Sequence, residues 1–347
     1  MGEYLVKMAF TLHSKYNRAR NNQRHPENKG FRNDRQPISP QHRVDQAVTQ
    51  LEKRHIVDAH HHLWDLHACN YPWLMARGVV RFFGDPTPIQ KNYLVGHLRD
   101  DASDYRLDAS VHIQVGVAPG DQLRETAWLQ QLGDQHGLPS AIVAFCELDR
   151  RAAVDQIAAH LKHSRVRGLR QIVGRSDAED KETGSGRLIE DSVWQENLAL
   201  LGELGLTFDL QLTPGQVPRI TEILAKSPNT QVALCHCGSP WDQSESGLKA
   251  WRDGLRLLAS LPNVVCKISG LGMFDHDWTV DSIRPIVESC IDLFGAERCM
   301  FGSNFPVDKL HASYTKVWRA FEVITASLSE ADQARLFGNT AREFYRI

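Results

Sequence analysis

Asp58, His60, His61 and His62 stand together behind the β-branched pair Ile56–Val57. On an extended strand side chains alternate, so His60 and His62 share one face and His61 takes the other. Two imidazoles so placed can bind one divalent ion side by side, or orient a lactone or amide carbonyl. Such a cluster can also serve packing and hydrogen bonding at a strand end, so the rest of the chain has to decide. His236 closes the apolar run Val232–Cys235 and precedes a Gly-Ser-Pro turn, a position for chemistry rather than packing. Arg170 ends another β-branched run, and a guanidinium can grip a carboxylate with two parallel hydrogen bonds. Gln114 shares a face with His112, and Gln211 with Asp209. Ser303 and Asn304 end the last run, with Asp308 following Pro306.

These residues need elements to hold them at one place. Eight strand-like runs are readable: 55–58, 109–117, 141–146, 166–173, 206–212, 231–235, 263–268 and 298–302. Amphipathic stretches such as 122–135, 193–204, 247–259 and 280–294 separate them. Regular βα alternation in one chain of this length predicts a single α/β fold, a (β/α)8 TIM barrel over residues 54–347. An open doubly wound sheet would want G-x-G-x-x-G after its first strand, and none is there. In a barrel, chemistry sits at the strand C-terminal ends, where the polar residues above fall. The long segment from His67 to Pro88, rich in aromatic residues and proline, is expected to act as a lid, with Trp73 touching substrate.

Strand alternation also directs the individual readings. Lys267 is expected as a strand-end surface lysine rather than a Schiff base. Asp209 is expected to hold a loop or pair with Arg170. Cys235 and Cys237 are expected to be buried and apolar, pointing away from the face that His236 uses. Seven irregularly spaced cysteines make no disulfide framework and suit a reducing, cytoplasmic compartment.

The 347 residues carry a formal net charge of −2, which calls for no nucleic acid. Residues 1–54 hold 11 Lys/Arg against 5 Asp/Glu. The segment 1–50 is expected to be a basic, disordered extension. No apolar run reaches the roughly 18 residues of a membrane span. A small molecule is the expected partner, with a homo-oligomer left open.

Asp58-Ala-His-His-His-Leu-Trp-Asp65 resembles the opening of the amidohydrolase-related family, whose members include lactonases for sugar acids and pyrone dicarboxylates. Six further segments are similar to family blocks in the same order: 124–130, 166–171, 207–212, 234–238, 266–271 and 300–307. The close, Gly338-Asn-Thr-Ala-Arg-Glu-Phe-Tyr345, resembles the family's last block. The resemblance implies a metal-dependent-hydrolase-like barrel. It suggests His60 and His62 as the first-strand pair and so as metal candidates, His236 as the sixth-strand histidine and a catalytic candidate, and Arg170 as an anion anchor; Gln114 and Trp73 are expected substrate contacts from strand alternation and the aromatic loop. Where metal-dependent members carry an aspartate at the end of the eighth strand, this chain has Asn304. A neutral amide cannot act as a base, which leaves Asp308 or His236 to activate water. No histidine ends the fifth run and no lysine the fourth, so a two-metal centre is not expected. One divalent ion, zinc by preference, or none is left open. The expected activity is lactone hydrolysis. A decarboxylase of the same superfamily and a non-catalytic metabolite-binding barrel are the alternatives.

Overall fold

The computed structural model describes residues 53–347. The basic extension expected over 1–50 lies outside the described residues. The strands are β1 (His55–His61), β2 (Arg106–Ile113), β3 (Ala141–Phe145), β4 (Val166–Arg170), β5 (Thr207–Leu210), β6 (Val232–Leu234), β7 (Val264–Ile268) and β8 (Cys299–Phe301). They are hydrogen-bonded in chain order, every pair parallel. Past the end of β8, Asn304 N donates to the His60 carbonyl, and His62 N, just past the end of β1, donates to the Phe305 carbonyl, each at 2.7 Å. The sheet thus nearly closes, as the expected TIM barrel requires.

Aliphatic and β-branched runs form these strands because both of their faces are covered. Outward side chains such as Phe208, Leu234 and Ile268 meet the surrounding helices. Helix Glu245–Ala259 shows how the sequence builds that outer layer. Ser244 caps it by accepting from Gly247 N at 3.1 Å, and Trp251, Leu255 and Leu258 recur at helical spacing on its buried face. The inner layer is made of smaller residues, among them Ala59, Val111, Val143, Ala233 and Met300. The terminal helix Thr340–Tyr345 adds Ala341 and Tyr345 to that layer. It sits at the strand N-terminal ends, where Arg342 donates to Asp108 at 3.2 Å.

Most strand ends differ from the sequence reading by one to four residues, and two of the larger differences have local reasons. β1 runs on to His61 because Asp58, fully buried, fastens this part of it to β8. Its carboxylate accepts from Ser303 N at 2.9 Å and Ser303 Oγ at 2.6 Å, and from Tyr314 Oη at 3.1 Å. β2 stops at Ile113, short of Val117, because Gly116 turns the chain with φ +80°.

Candidate active site

The strand C-terminal ends surround a cavity of about 340 Å³. His62, Gln114, Arg170, Gln211, His236 and Asn304 line it, arriving from β1, β2, β4, β5, β6 and β8. The 67–88 segment folds over the opening. Its Trp73 donates from Nε1 to the Val115 carbonyl at 2.7 Å, and its Phe82 packs on Trp241 with ring centroids 4.5 Å apart.

The histidines are set by close backbone approaches. His60 and His62 face the same way, centroids 5.2 Å apart, and His60 lies 4.4 Å from the His236 ring. His61 points to the other face and shares a 2.9 Å hydrogen bond with Ser110 Oγ. A side chain at Gly302 would meet His60 Cβ at 2.7 Å, and one at Gly270 would meet His236 Nδ1 at 2.4 Å. Both glycines therefore keep the space that the imidazoles fill. His236 has φ 53° and Asn304 φ 56°. Non-glycine residues held in the left-handed region cluster at functional sites, where surrounding structure fixes them.

Burial is the main cause that holds His60, His62 and His236 neutral. For His60 and His236 the pKa lies well below the usual 6.5, and for His62 it falls to about 3. The nearby Arg170 charge adds to this in all three. His62 Nδ1 lies 2.8 Å from the Ile113 carbonyl, which can only accept, so Nδ1 carries the proton and Nε2 presents a lone pair. His236 Nδ1 lies 3.0 Å from Ser269 Oγ, which leaves Nε2 for the cavity.

Asp308, one of the two residues expected to activate water, is absent from the cavity lining. It is buried behind Asn304 and accepts from Asn304 Nδ2 at 3.0 Å. Burial pushes its carboxyl up to about 7. The cause is local: the chain turns left-handed at Asn304, and Asp308 N then bonds back to the Asn304 carbonyl at 3.1 Å. That turn puts the amide, not the carboxyl, toward the cavity.

Three other expectations are corrected. Lys267 is fully buried inside the barrel rather than at the surface, and its Nζ lies 2.5 Å from Asp209 Oδ2. Asp209 therefore pairs with Lys267 and not with Arg170, and also accepts from Tyr345 Oη at 2.8 Å. Cys235 does not avoid the site, since β6 already ends at Leu234 and strand alternation stops there. Its sulfur lies within 4.8 Å of donor atoms of both His60 and Asp209. All seven cysteines are free and buried.

Two places offer donor atoms to a metal ion. His60, Asp209 and Cys235 come close enough to share one, but the Lys267 ammonium already occupies Asp209, and burial pushes the Cys235 thiol up to about 12. That group suits a cation poorly. Above it, both ring nitrogens of His60 are buried without a hydrogen-bond partner. His62 Nε2 faces Asn304 Oδ1 at 3.3 Å, two acceptors with no proton between them. Two donors at ~2.1 Å from one tetrahedral ion lie roughly 3.4 Å apart. His60, His62 and Asn304 thus fit a single ion.

The sequence reading missed Arg81, Arg175, Phe82 and Trp241, which also line the cavity. Each lies in a loop several residues from any strand end, where alternation gives no direction. The aromatic content of 67–88 was the one signal in the sequence for Phe82.

The family model for amidohydrolases (Amidohydro_2) matches residues 57–347, and the chain belongs to this family. It is a hydrolase of the amidohydrolase superfamily. An uncharacterized protein of Sinorhizobium fredii, y4mH, is 39% identical over 293 residues, covering 84% of this chain and 98% of the relative. L-fucono-1,5-lactonase of Burkholderia multivorans is 29% identical over 304 residues, covering 84% and 96%. A crystal structure of a Burkholderia multivorans amidohydrolase with bound Zn superimposes with TM-score 0.72 at 28% identity, covering 84% of this chain and 99% of that one.

Proposed function

We propose that this hydrolase opens a lactone of a small organic or sugar acid. The observation that carries the reading is the convergence of two neutral imidazoles, His62 and His236, and a neutral amide on one cavity beside Arg170, with the neutral His60 ring packed against both imidazoles. Among the described residues, no strand end gives the cavity a carboxyl group to protonate a leaving group; the two carboxyls in the lining, Glu179 and Glu182, come from the helix Asp177–Thr183. An amine must be protonated as it leaves, whereas a lactone's alkoxide makes a weaker demand, so the donor set favours the lactone over the amide. The likeness to L-fucono-1,5-lactonases supports the same choice.

In this reading Arg170 binds the substrate carboxylate. Its Nη1 donates to Gln211 Oε1 at 3.1 Å and its Nη2 to the Gln114 carbonyl at 2.5 Å, which fixes the guanidinium plane. Its Nε stays buried and unpartnered, ready for an anion. His236 Nε2 takes the proton of the attacking water, with Ser269 holding the ring. Asn304 turns its Oδ1 toward His62, and Asp308, accepting from Asn304 Nδ2, keeps that amide from turning. Trp73 covers the ring of the substrate and excludes water. One divalent ion, zinc by preference, would be held by His60, His62 and Asn304. When bound, it supplies carbonyl polarisation and a more acidic water.

A pH-indicator screen of sugar-acid and carboxylated lactones, run with metal-free and zinc-loaded protein, tests this. Turnover of a lactone that disappears in His236→Asn is expected. Absence of turnover across lactones, with turnover of an amide instead, would overturn it.

A further inference from the structure

β1 and β2 separate at the level of the cavity. Their last paired residues are His61 and His112. The bonds that follow run between side chain and backbone, in opposite senses. His62 Nδ1 donates to the Ile113 carbonyl at 2.8 Å, and Leu63 N donates to His112 Nδ1 at 3.0 Å. The two residues after β1 are thus gripped by the last two of β2. His112 can accept there only as a neutral imidazole with its proton on Nε2. Burial keeps it neutral, with its pKa well below the usual 6.5. The ring stands on the outer face of β2, between the inward Val111 and Ile113, and is absent from the cavity lining. Its Nε2 is buried with no hydrogen-bond partner among the described residues. An unpaired buried donor is costly, and an aliphatic residue at 112 would avoid that cost. What an aliphatic residue lacks is the acceptor at Nδ1. The Leu63 N–H and the His62 carbonyl belong to one peptide unit, so that acceptor fixes the backbone on the C-terminal side of the His62 ring. On the N-terminal side His62 N is already held by the Phe305 carbonyl at 2.7 Å.

We propose that His112 is a positioning residue for His62: by holding the Leu63 amide from outside the cavity, it keeps the His62 ring on the Ile113 carbonyl and its Nε2 aimed at Asn304. The proposal rests on His62 belonging to the active site and not on the choice of a lactone as substrate. The test is a nuclear magnetic resonance spectrum of the full-length, chelator-treated protein, isotope-labelled at the histidine ring nitrogens, with His62→Asn identifying the His62 signals. The unmodified protein should show His62 as one tautomer, protonated on Nδ1. His112→Phe keeps a ring and removes the acceptor, and should give a mixture of both tautomers. Steady-state kinetics on the lactone that the screen identifies should show kcat lower by on the order of tenfold in this variant, with KM within about twofold. His112→Asn puts an amide oxygen near the place of Nδ1, and should restore both the single tautomer and the turnover. His112→Gln is equally polar but carries its oxygen one bond further out, and should restore neither; this pair decides the matter if the phenylalanine variant does not fold. A single Nδ1-protonated signal in His112→Phe would overturn the proposal. So would asparagine and glutamine variants that behave alike, which would make His112 a matter of packing. A tautomer mixture in His112→Phe, with no lactone turned over by the unmodified protein, would sink the lactonase reading alone. Lactone turnover that His112→Phe leaves unchanged, with an unmoved His62 spectrum, would sink the positioning role alone.

Discussion

The barrel buries charge in two places, and treats it differently in each. In the interior, Lys267, Asp209 and Tyr345 satisfy one another, with both ions fully buried. At and just behind the cavity, His60 has two unpartnered nitrogens, and Arg170 and Arg175 each have an unpartnered Nε. A closed network costs little further and asks for nothing from outside. An open one stores unmet polar groups that a ligand can complete. The contrast assigns Lys267 to the framework and the histidines and arginines to the ligand, although all of them look alike as polar strand-end residues in the sequence.

The sharpest way to break this comparison is to remove a cavity group. His236→Asn should lower lactone turnover by on the order of 10²–10⁴, the general-base contribution, with the melting temperature little changed. Steady-state kinetics and a calorimetric melt check both halves. A large fall in stability instead would place His236 with the framework.

The converse substitution is Lys267→Met. It leaves Asp209 as an unpaired buried charge and should destabilise by about 3–5 kcal/mol. The double variant Asp209→Asn/Lys267→Met should recover much of that loss, because the pair then disappears together. Denaturant melts of the single and double variants decide. If Lys267→Met keeps its stability but loses turnover, the interior pair belongs to the site after all.

The same physics explains how much was legible in the sequence. β-branched runs alternating with amphipathic stretches specify a barrel, because each run must be covered on both faces. Alternation also put His60 and His62 together and sent His61 away. It failed where the strand had already ended. Cys235 lies one residue past β6, and the left-handed turn at His236 redirects the chain beyond it. Lys267 was misread because its partner, Asp209, is 58 residues away, and no local pattern announces a long-range ion pair. Arg175 went unnoticed because a loop arginine looks like any solvated charge until its partners are counted.

Asp308 tests the boundary between the two regions, since it is buried yet touches a cavity residue. Asp308→Asn should reduce kcat by on the order of tenfold, through a mispositioned Asn304, with KM nearly unchanged. That is less than the effect at His236. A loss as large as that of His236→Asn would make Asp308 the proton acceptor. Asn304→Asp adds a charged oxygen donor and should tighten zinc binding, read by competition with a chelator.

A further expected effect is a matter of pH. Buried His60, His61, His62, His112, His160 and His236 all have pKa values below the usual 6.5. The unfolded chain binds their protons first, so stability falls as pH drops below 6.5. Buried carboxyls act in the opposite sense. Burial raises Asp58 to about 6, Asp308 to about 7 and Glu125 to about 8. Each holds its proton in the folded state after the unfolded chain has lost it, so each costs stability as pH rises from the ordinary carboxyl range to its folded value. Below 6.5 six histidines outweigh three carboxyls, and above it only Asp308 and Glu125 still titrate. Stability of the metal-free protein should therefore peak roughly at pH 6.5 and decline gently toward 8. Glu125, buried near Tyr71 in the Gln122–His136 helix, has the highest of the three values and contributes throughout that decline. Glu125→Gln keeps the neutral shape and removes the titration, so it should flatten the alkaline limb by about 2 kcal/mol between pH 6.5 and 8. Denaturant melts at half-unit pH steps measure it. An alkaline limb as steep in Glu125→Gln as in the unmodified protein would show that Glu125 is already ionised when folded, and that it belongs with the charges that have found a partner.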